Sequence, residues 1–194
     1  MDYLKISKYL SNYITKELDY DDDKKEVITY SIEFMFLQLL GFIVILIFGF
    51  VFNAVTTTVS AAIFGAILRK FSGGAHFDSR TKCLFFGAVI YTFIGVVSER
   101  IYNYAFLNDK TIIILLFICI IIVFKLAPVD SLAKPIHSKE FKKKLKYISI
   151  IFIFITIFLV YNINSIAVKT SITLGIVYQV LTLLPMFNKK EVEL

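Results

Sequence analysis

Residues 69 to 83 read Arg-Lys-Phe-Ser-Gly-Gly-Ala-His-Phe-Asp-Ser-Arg-Thr-Lys-Cys, a stretch that holds one of the chain's two histidines, one of its two cysteines and two of its eight glycines. A cysteine is a competent nucleophile as its thiolate, and a nearby histidine takes the thiol proton and later returns it to a leaving amine. His76 and Cys83 therefore have the residue types for acyl transfer. On one continuous helix, residues seven apart would stand about 10.5 Å apart along the axis, too far to hydrogen-bond. Gly73 and Gly74 supply the break that lets His76 fold back over Cys83 at the start of the next helix. There the helix dipole, Arg80 and Lys82 favour the thiolate, and free backbone amides at the helix start or in the glycine turn are candidate oxyanion donors. The same residues admit a plainer explanation, in which Cys83 is a small buried hydrophobe and His76 a polar loop residue. Metal binding is disfavoured, because the two histidines and two cysteines are scattered and Cys119 lies deep in an apolar run.

The elements that must position these residues are membrane helices. Of 194 residues, 58% are apolar and 19% charged, against roughly 45–50% apolar in an average soluble domain. With 20 phenylalanines, 11 tyrosines and three prolines, the composition excludes a disordered chain or a disulfide scaffold. A hydrocarbon core roughly 30 Å thick needs about 20 mostly apolar residues per helix. Glu33 and Arg69 enclose a charge-free stretch that suits two spans, Phe34–Phe52 and Ala54–Leu68, joined by a hairpin near Asn53. Four more follow at Cys83–Ser98, Thr111–Phe124, Tyr147–Tyr161 and Ile166–Leu184. The expectation is a single all-α polytopic membrane domain over 1–194, with about six transmembrane helices across 34–184. Residues 1–30 are expected to form a cytoplasmic amphipathic helix and an acidic linker. In that helix Tyr3, Ile6, Leu10, Tyr13, Ile14 and Leu18 recur at helical spacing, which fits a helix on the membrane surface or one packed on the protein's own loops. Asp19, Asp21, Asp22 and Asp23 read as a solvated linker.

Cytoplasmic loops carry the excess of lysine and arginine. An inward N-terminus leaves Arg100, Lys110 and Lys169 as the basic residues outside, and puts both termini and the His/Cys stretch in the cytoplasm. The inner face also receives the stretch Leu126-Ala127-Pro128-Val129-Asp130-Ser131-Leu132-Ala133-Lys134-Pro135-Ile136-His137 and the lysines that follow it, Lys139, Lys142, Lys143, Lys144 and Lys146. This positive surface suits anionic lipid or an acidic peptide, and is too small for nucleic acid. His137 is a weaker base candidate, since its loop carries no nucleophile. The small residues Ser60, Ala61, Ala62, Gly65 and Ala66 suggest a helix face that packs on a second copy in a homodimer.

Taken together, Arg69-to-Cys83 with its glycine pair, the Ala127-Pro128-x-Asp130 pattern and Lys134-Pro135-Ile136 resemble the accessory gene regulator protein B (AgrB) family of quorum-sensing membrane endopeptidases, over most of the chain. The resemblance implies a cell-membrane thiol protease of a Gram-positive bacterium that processes a short precursor peptide (AgrD). It implies Cys83 as nucleophile and His76 as general base and acid, with Arg69, Gly73 and Gly74 supporting them. Asp78 lies outside the family pattern; its role as a carboxylate orienting His76 is an extension of it. Substrate binding falls to Lys134, Lys142, Lys143, Lys144 and Lys146, and no metal or nucleotide cofactor is required. Phe71, Phe77, Phe85 and Phe86 are expected to wall the site. From another class, a non-enzymatic transporter or scaffold component predicts tolerance of Cys83 substitution, whereas an enzyme predicts loss. A redox sensor pairing Cys83 with Cys119 is disfavoured by their separation.

Overall fold

The computed structural model describes residues 3–17, 21–75, 79–101, 108–129 and 138–188. They form seven α-helices: α1 (Tyr3–Glu17), α2 (Asp22–Val51), α3 (Val55–Ser72), α4 (Arg80–Ile101), α5 (Asp109–Leu126), α6 (Lys139–Asn162) and α7 (Ile166–Leu181), closed by a short 3-10 turn at Pro185–Phe187. No strand occurs among the described residues, in keeping with an all-α membrane protein.

Capping residues fix the helix starts more than the loss of charge does. The Asp21 carboxylate accepts from the Lys24 amide at 3.0 Å, and Asn108, Ser138 and Ser165 cap α5, α6 and α7 in the same way. For three of the four acidic residues expected in a solvated linker the structure gives a correction: Asp21 is the N-cap of α2, and Asp22 and Asp23 form its first turn, where the dipole favours negative charge, while Asp19 lies outside the described residues. The lysines after residue 138, expected in a loop, lie on the opening turns of α6.

Six helices follow α1 in the predicted order. Asp22–Val51, Thr81–Ile101 and Lys139–Asn162 are long and apolar enough to cross a membrane. The 18-residue helices α3 and α5 extend about 27 Å and the 16-residue α7 about 24 Å. Phe50, Phe93, Phe158 and Ile155 project outward from the bundle, the arrangement of a protein solvated by lipid.

The centre of the bundle is the α3–α7 pair, with α4 and α2 on one side and α5 and α6 on the other. A Cβ at Gly175 would lie 2.5 Å from the Ala61 carbonyl oxygen, so only glycine admits this backbone approach. Ala61, Ala62 and Gly65 are buried against α4 and α7. The small-residue face expected to meet a second copy is thus, at these positions, consumed inside the chain. Two apolar clusters share this centre. One joins Leu68, Leu116, Val123, Ile153 and Ile176, and the other joins Ile45, Ala61, Ala88, Tyr91 and Ile94.

Helix α1 docks on α2 through its hydroxyls. Ser7, Ser11 and Thr15 form a buried stripe, and the Thr29 hydroxyl donates to Ser11 Oγ at 2.6 Å. Ile6, Tyr9, Leu10 and Tyr13 are left exposed, available to a membrane surface.

Candidate active site

The chain direction brings three segments to one end of the bundle: the end of α3, the start of α4 and the end of α7, with the residues after α5 beside them. Helix α3 stops at Ser72 because Gly73 and Gly74 take φ values of +69° and +135°, conformations that cost an L side chain dearly. Gln179, fully buried on the last turn of α7, holds this turn. Its Nε2 donates to the Gly73 carbonyl at 2.7 Å and to Ser72 Oγ at 3.2 Å. Its Oε1 accepts from the Arg69 guanidinium at 3.4 Å, and a second guanidinium nitrogen donates to the Ala75 carbonyl. The Ala75 amide in turn donates to the Thr182 carbonyl at 3.1 Å.

A further tie joins the two stretches that carry the family resemblance. The Val129 amide donates to the Ser72 carbonyl at 2.9 Å, and Gly73 and Val129 form a parallel bridge. Glycine is required on this side as well: a Cβ at Gly73 would collide with the Val129 carbonyl, and one at Gly74 would lie 2.5 Å from Thr182 Oγ1. The turn is therefore packed against α7 on one flank and the Ala127-Pro128-Val129 segment on the other.

Cys83 is the fourth residue of α4, partly buried and free of any disulfide. Its amide donates to the Ser79 carbonyl at 3.1 Å, so it is committed to the helix and is not a free oxyanion donor. About two turns beyond Cys83, Tyr91 on α4 faces Tyr178 on α7. The two tyrosine rings meet edge to face at 5.5 Å. Gly65 makes room for Tyr91, whose hydroxyl would clash with any Cβ there. One turn beyond Cys83 on the same face of α4, Gly87 has open space where a side chain would project. Cys119 is buried in α5 within the cluster around Leu116 and Val123, a different part of the bundle from Cys83.

Of the residues expected in the site, Arg69, Gly73, Gly74 and Cys83 gather at this end. His76, Phe77, Asp78, Lys134 and His137 lie outside the described residues. Lys143 and Lys144 are exposed at the start of α6, while Lys142 and Lys146 are partly buried. Lys146 places its ammonium 5.5 Å from the Phe124 ring centroid, so its charge is engaged with α5. So many lysines oppose the dipole at the start of α6, with Glu140 as the acidic residue of the first turn. Helix stability does not account for them. Phe85 and Phe86 are 58% and 46% exposed on α4, and form an outward surface rather than an enclosing wall. Gln179 and Val129 were not foreseen as parts of the site. The one available signal was a glutamine within an otherwise apolar helix, a group that must find partners when buried. Among the described residues no cluster of three or more His, Cys, Asp or Glu exists to hold a metal.

Comparison with known proteins finds relatives over nearly the whole chain. Residues 7–183 match the family described as Accessory gene regulator B. An AgrB-like protein of Clostridium perfringens strain SM101 is 35% identical over 195 residues, covering 92% of this chain and 89% of its own length. Accessory gene regulator protein B of Staphylococcus aureus strain MW2 is 28% identical over 149 residues, covering 77% of this chain and 76% of its own. No solved structure matches. By the extent of the family match and the identity to the clostridial relative, the chain belongs to the accessory gene regulator B family.

Proposed function

We propose that this protein is the membrane-embedded cysteine endopeptidase of an accessory gene regulator quorum-sensing system, acting on an AgrD-type precursor peptide. What supports the reading is that the start of α4, with Cys83 at its positive end, and the end of α3, with Arg69 and the Gly73–Gly74 turn that precedes His76 in sequence, lie at the same end of the bundle. In this mechanism His76 takes the Cys83 thiol proton, and the thiolate attacks the carbonyl carbon joining the precursor's signal core to its acidic C-terminal tail. The tetrahedral intermediate collapses as His76 delivers the proton to the departing amine, leaving an acyl-enzyme thioester. A cysteine thiol or serine hydroxyl within the bound precursor then attacks the thioester, its proton returns through His76 to Cys83, and a thiolactone or lactone ring is released. Exchange of one thioester for another is nearly isoenergetic, so ring closure depends on holding the internal nucleophile close while water is kept out.

The exposed lysines of α6 lie at the same end of the bundle as Cys83 and attract the acidic tail. The membrane confines the precursor to the plane of the enzyme and raises its local concentration. Both termini and the site then belong to the cytoplasmic face of the cell membrane. Lys169, the charge within the spans, is paired with Asp109 at 2.7 Å, so its charge is met inside the protein.

The test is mass spectrometry of an AgrD-type precursor co-expressed with wild-type, Cys83→Ala and His76→Ala protein at equal membrane abundance. Tail release is expected to vanish in both variants. Release that persists in Cys83→Ala sinks the peptidase reading.

A further inference from the structure

Gln179 stands out as a fully buried amide in an apolar helix, distant in sequence from the turn it holds and without a part in the chemistry above. Both ends of its side chain are used. The nitrogen donates to Gly73 O at 2.7 Å and Ser72 Oγ at 3.2 Å, and the oxygen accepts from Arg69 at 3.4 Å. Arg69 in turn spans the turn to the Ala75 carbonyl, so the residue immediately before His76 is fixed by a guanidinium that Gln179 orients. Thr182, just beyond Gln179, accepts from the Ala75 amide. A turn with two positive-φ glycines has little conformational preference of its own. These contacts from α7 select one conformation.

We infer that Gln179 is a positioning residue of the peptidase: through Arg69 and the Gly73 carbonyl it fixes the turn by which the chain leaves α3 toward His76, and the chemistry of the Cys83–His76 pair depends on that turn. The inference rests on the peptidase reading and names the element that assembles its catalytic pair. Neither the Gln179 side chain nor α7 needs to touch the substrate. The expected defect is in proton transfer rather than in binding.

The experiment uses the full chain in membranes with three variants, Gln179→Met, which keeps the shape without hydrogen bonds, His76→Ala and Cys83→Ala. Two quantities are read: the kinetics of precursor tail release, and the pH dependence of iodoacetamide alkylation at Cys83, followed on the Cys83 peptide by mass spectrometry. Gln179→Met is expected to lower kcat on the order of a hundredfold, the usual cost of a misplaced catalytic group, while KM stays within about twofold. Its alkylation profile should move from that of wild type to that of His76→Ala, because in both the imidazole no longer assists the thiol. A kcat loss with a wild-type alkylation profile overturns the inference, since it indicates a general structural defect; unchanged kinetics overturn it outright. Tail release that survives Cys83→Ala overturns the peptidase reading instead, which keeps the two failures distinct. Should Gln179→Met fail to accumulate, Gln179→Glu serves in its place. When protonated, the carboxyl that this variant introduces restores both the donor to Gly73 and the acceptor for Arg69. The variant's activity relative to wild type should therefore rise as pH falls, and a flat ratio overturns the inference.

Discussion

The chain reverses direction at both ends of α3, and the two reversals are built differently. At the α2–α3 end, Asn53 sits at φ +51°, exposed, and the turn is closed by its own backbone: the Phe52, Asn53 and Ala54 amides donate to the Phe48, Phe50 and Gly49 carbonyls. At the α3–α4 end, Gly73 and Gly74 also take positive φ, but the turn is held by Gln179 and Thr182 from α7 and by Val129 from beyond α5. A connector that only has to return the chain needs local bonds alone. A turn that must present a side chain to a partner on another helix has to be fixed from outside, because glycines impose no conformation themselves. The contrast is between a reversal closed by its own backbone and one held by distant parts of the chain.

The largest effect expected from this contrast is at Gly73. Gly73→Ala forces a Cβ against the Val129 carbonyl at φ +69°. That conformation, φ +69° with ψ −150°, costs a non-glycine residue about 1–3 kcal/mol by itself, and relieving the collision displaces the bond that ties the turn to the segment after α5. Precursor tail release should fall by at least about a hundredfold, with the protein still inserted at near-normal abundance. Wild-type cleavage in Gly73→Ala would show that the turn tolerates movement and would remove the distinction between the two reversals.

Arg69→Lys comes next. Lysine keeps the charge but cannot donate in two directions from one plane, as Arg69 does to Gln179 and Ala75. A drop in kcat of about tenfold with intact folding is expected. Full activity in Arg69→Lys would mean that the charge at position 69 matters and the geometry does not.

How far these features were readable beforehand follows from whether their causes are local. The hairpin at Asn53, the break at Gly73–Gly74 and the six apolar stretches are local patterns, and each corresponds to a turn or helix in the structure. Helix ends were harder to read, since α2 begins well upstream of Phe34, at a cap on Asp21, and charge does not end a helix that leaves the membrane for water. Ser7, Ser11 and Thr15 form the docking stripe of α1, whereas periodicity drew attention to its apolar residues. In the site, Cys83, Arg69 and the glycines announce themselves by type and spacing. Gln179 is linked to Gly73 across 106 positions, and Val129 to Ser72 across the whole of α4 and α5, so nothing along the chain pairs them.

A smaller and conditional effect is expected at α6. Neutralising Lys142, Lys143 and Lys144 together should raise KM several-fold at low ionic strength while leaving kcat unchanged, and the difference should shrink as salt screens the attraction, with a Debye length of about 8 Å at physiological strength. A KM change that persists in high salt would point to direct contacts with the substrate instead. The salt dependence thus separates residues that assemble the site from residues that fill it.

The smallest effect belongs to the other reversal. Asn53→Gly removes a side chain from an exposed position at φ +51° and leaves every backbone bond of the turn in place. Relief of the left-handed strain and the added flexibility of glycine in the unfolded chain oppose one another, so stability should move by less than about 1 kcal/mol, read as the thermal midpoint in detergent. Tail release should match wild type in both kcat and KM. If Asn53→Gly impairs cleavage as strongly as Gly73→Ala, then the position of α3 as a whole controls the site, and the external ties on the Gly73–Gly74 turn lose their special role.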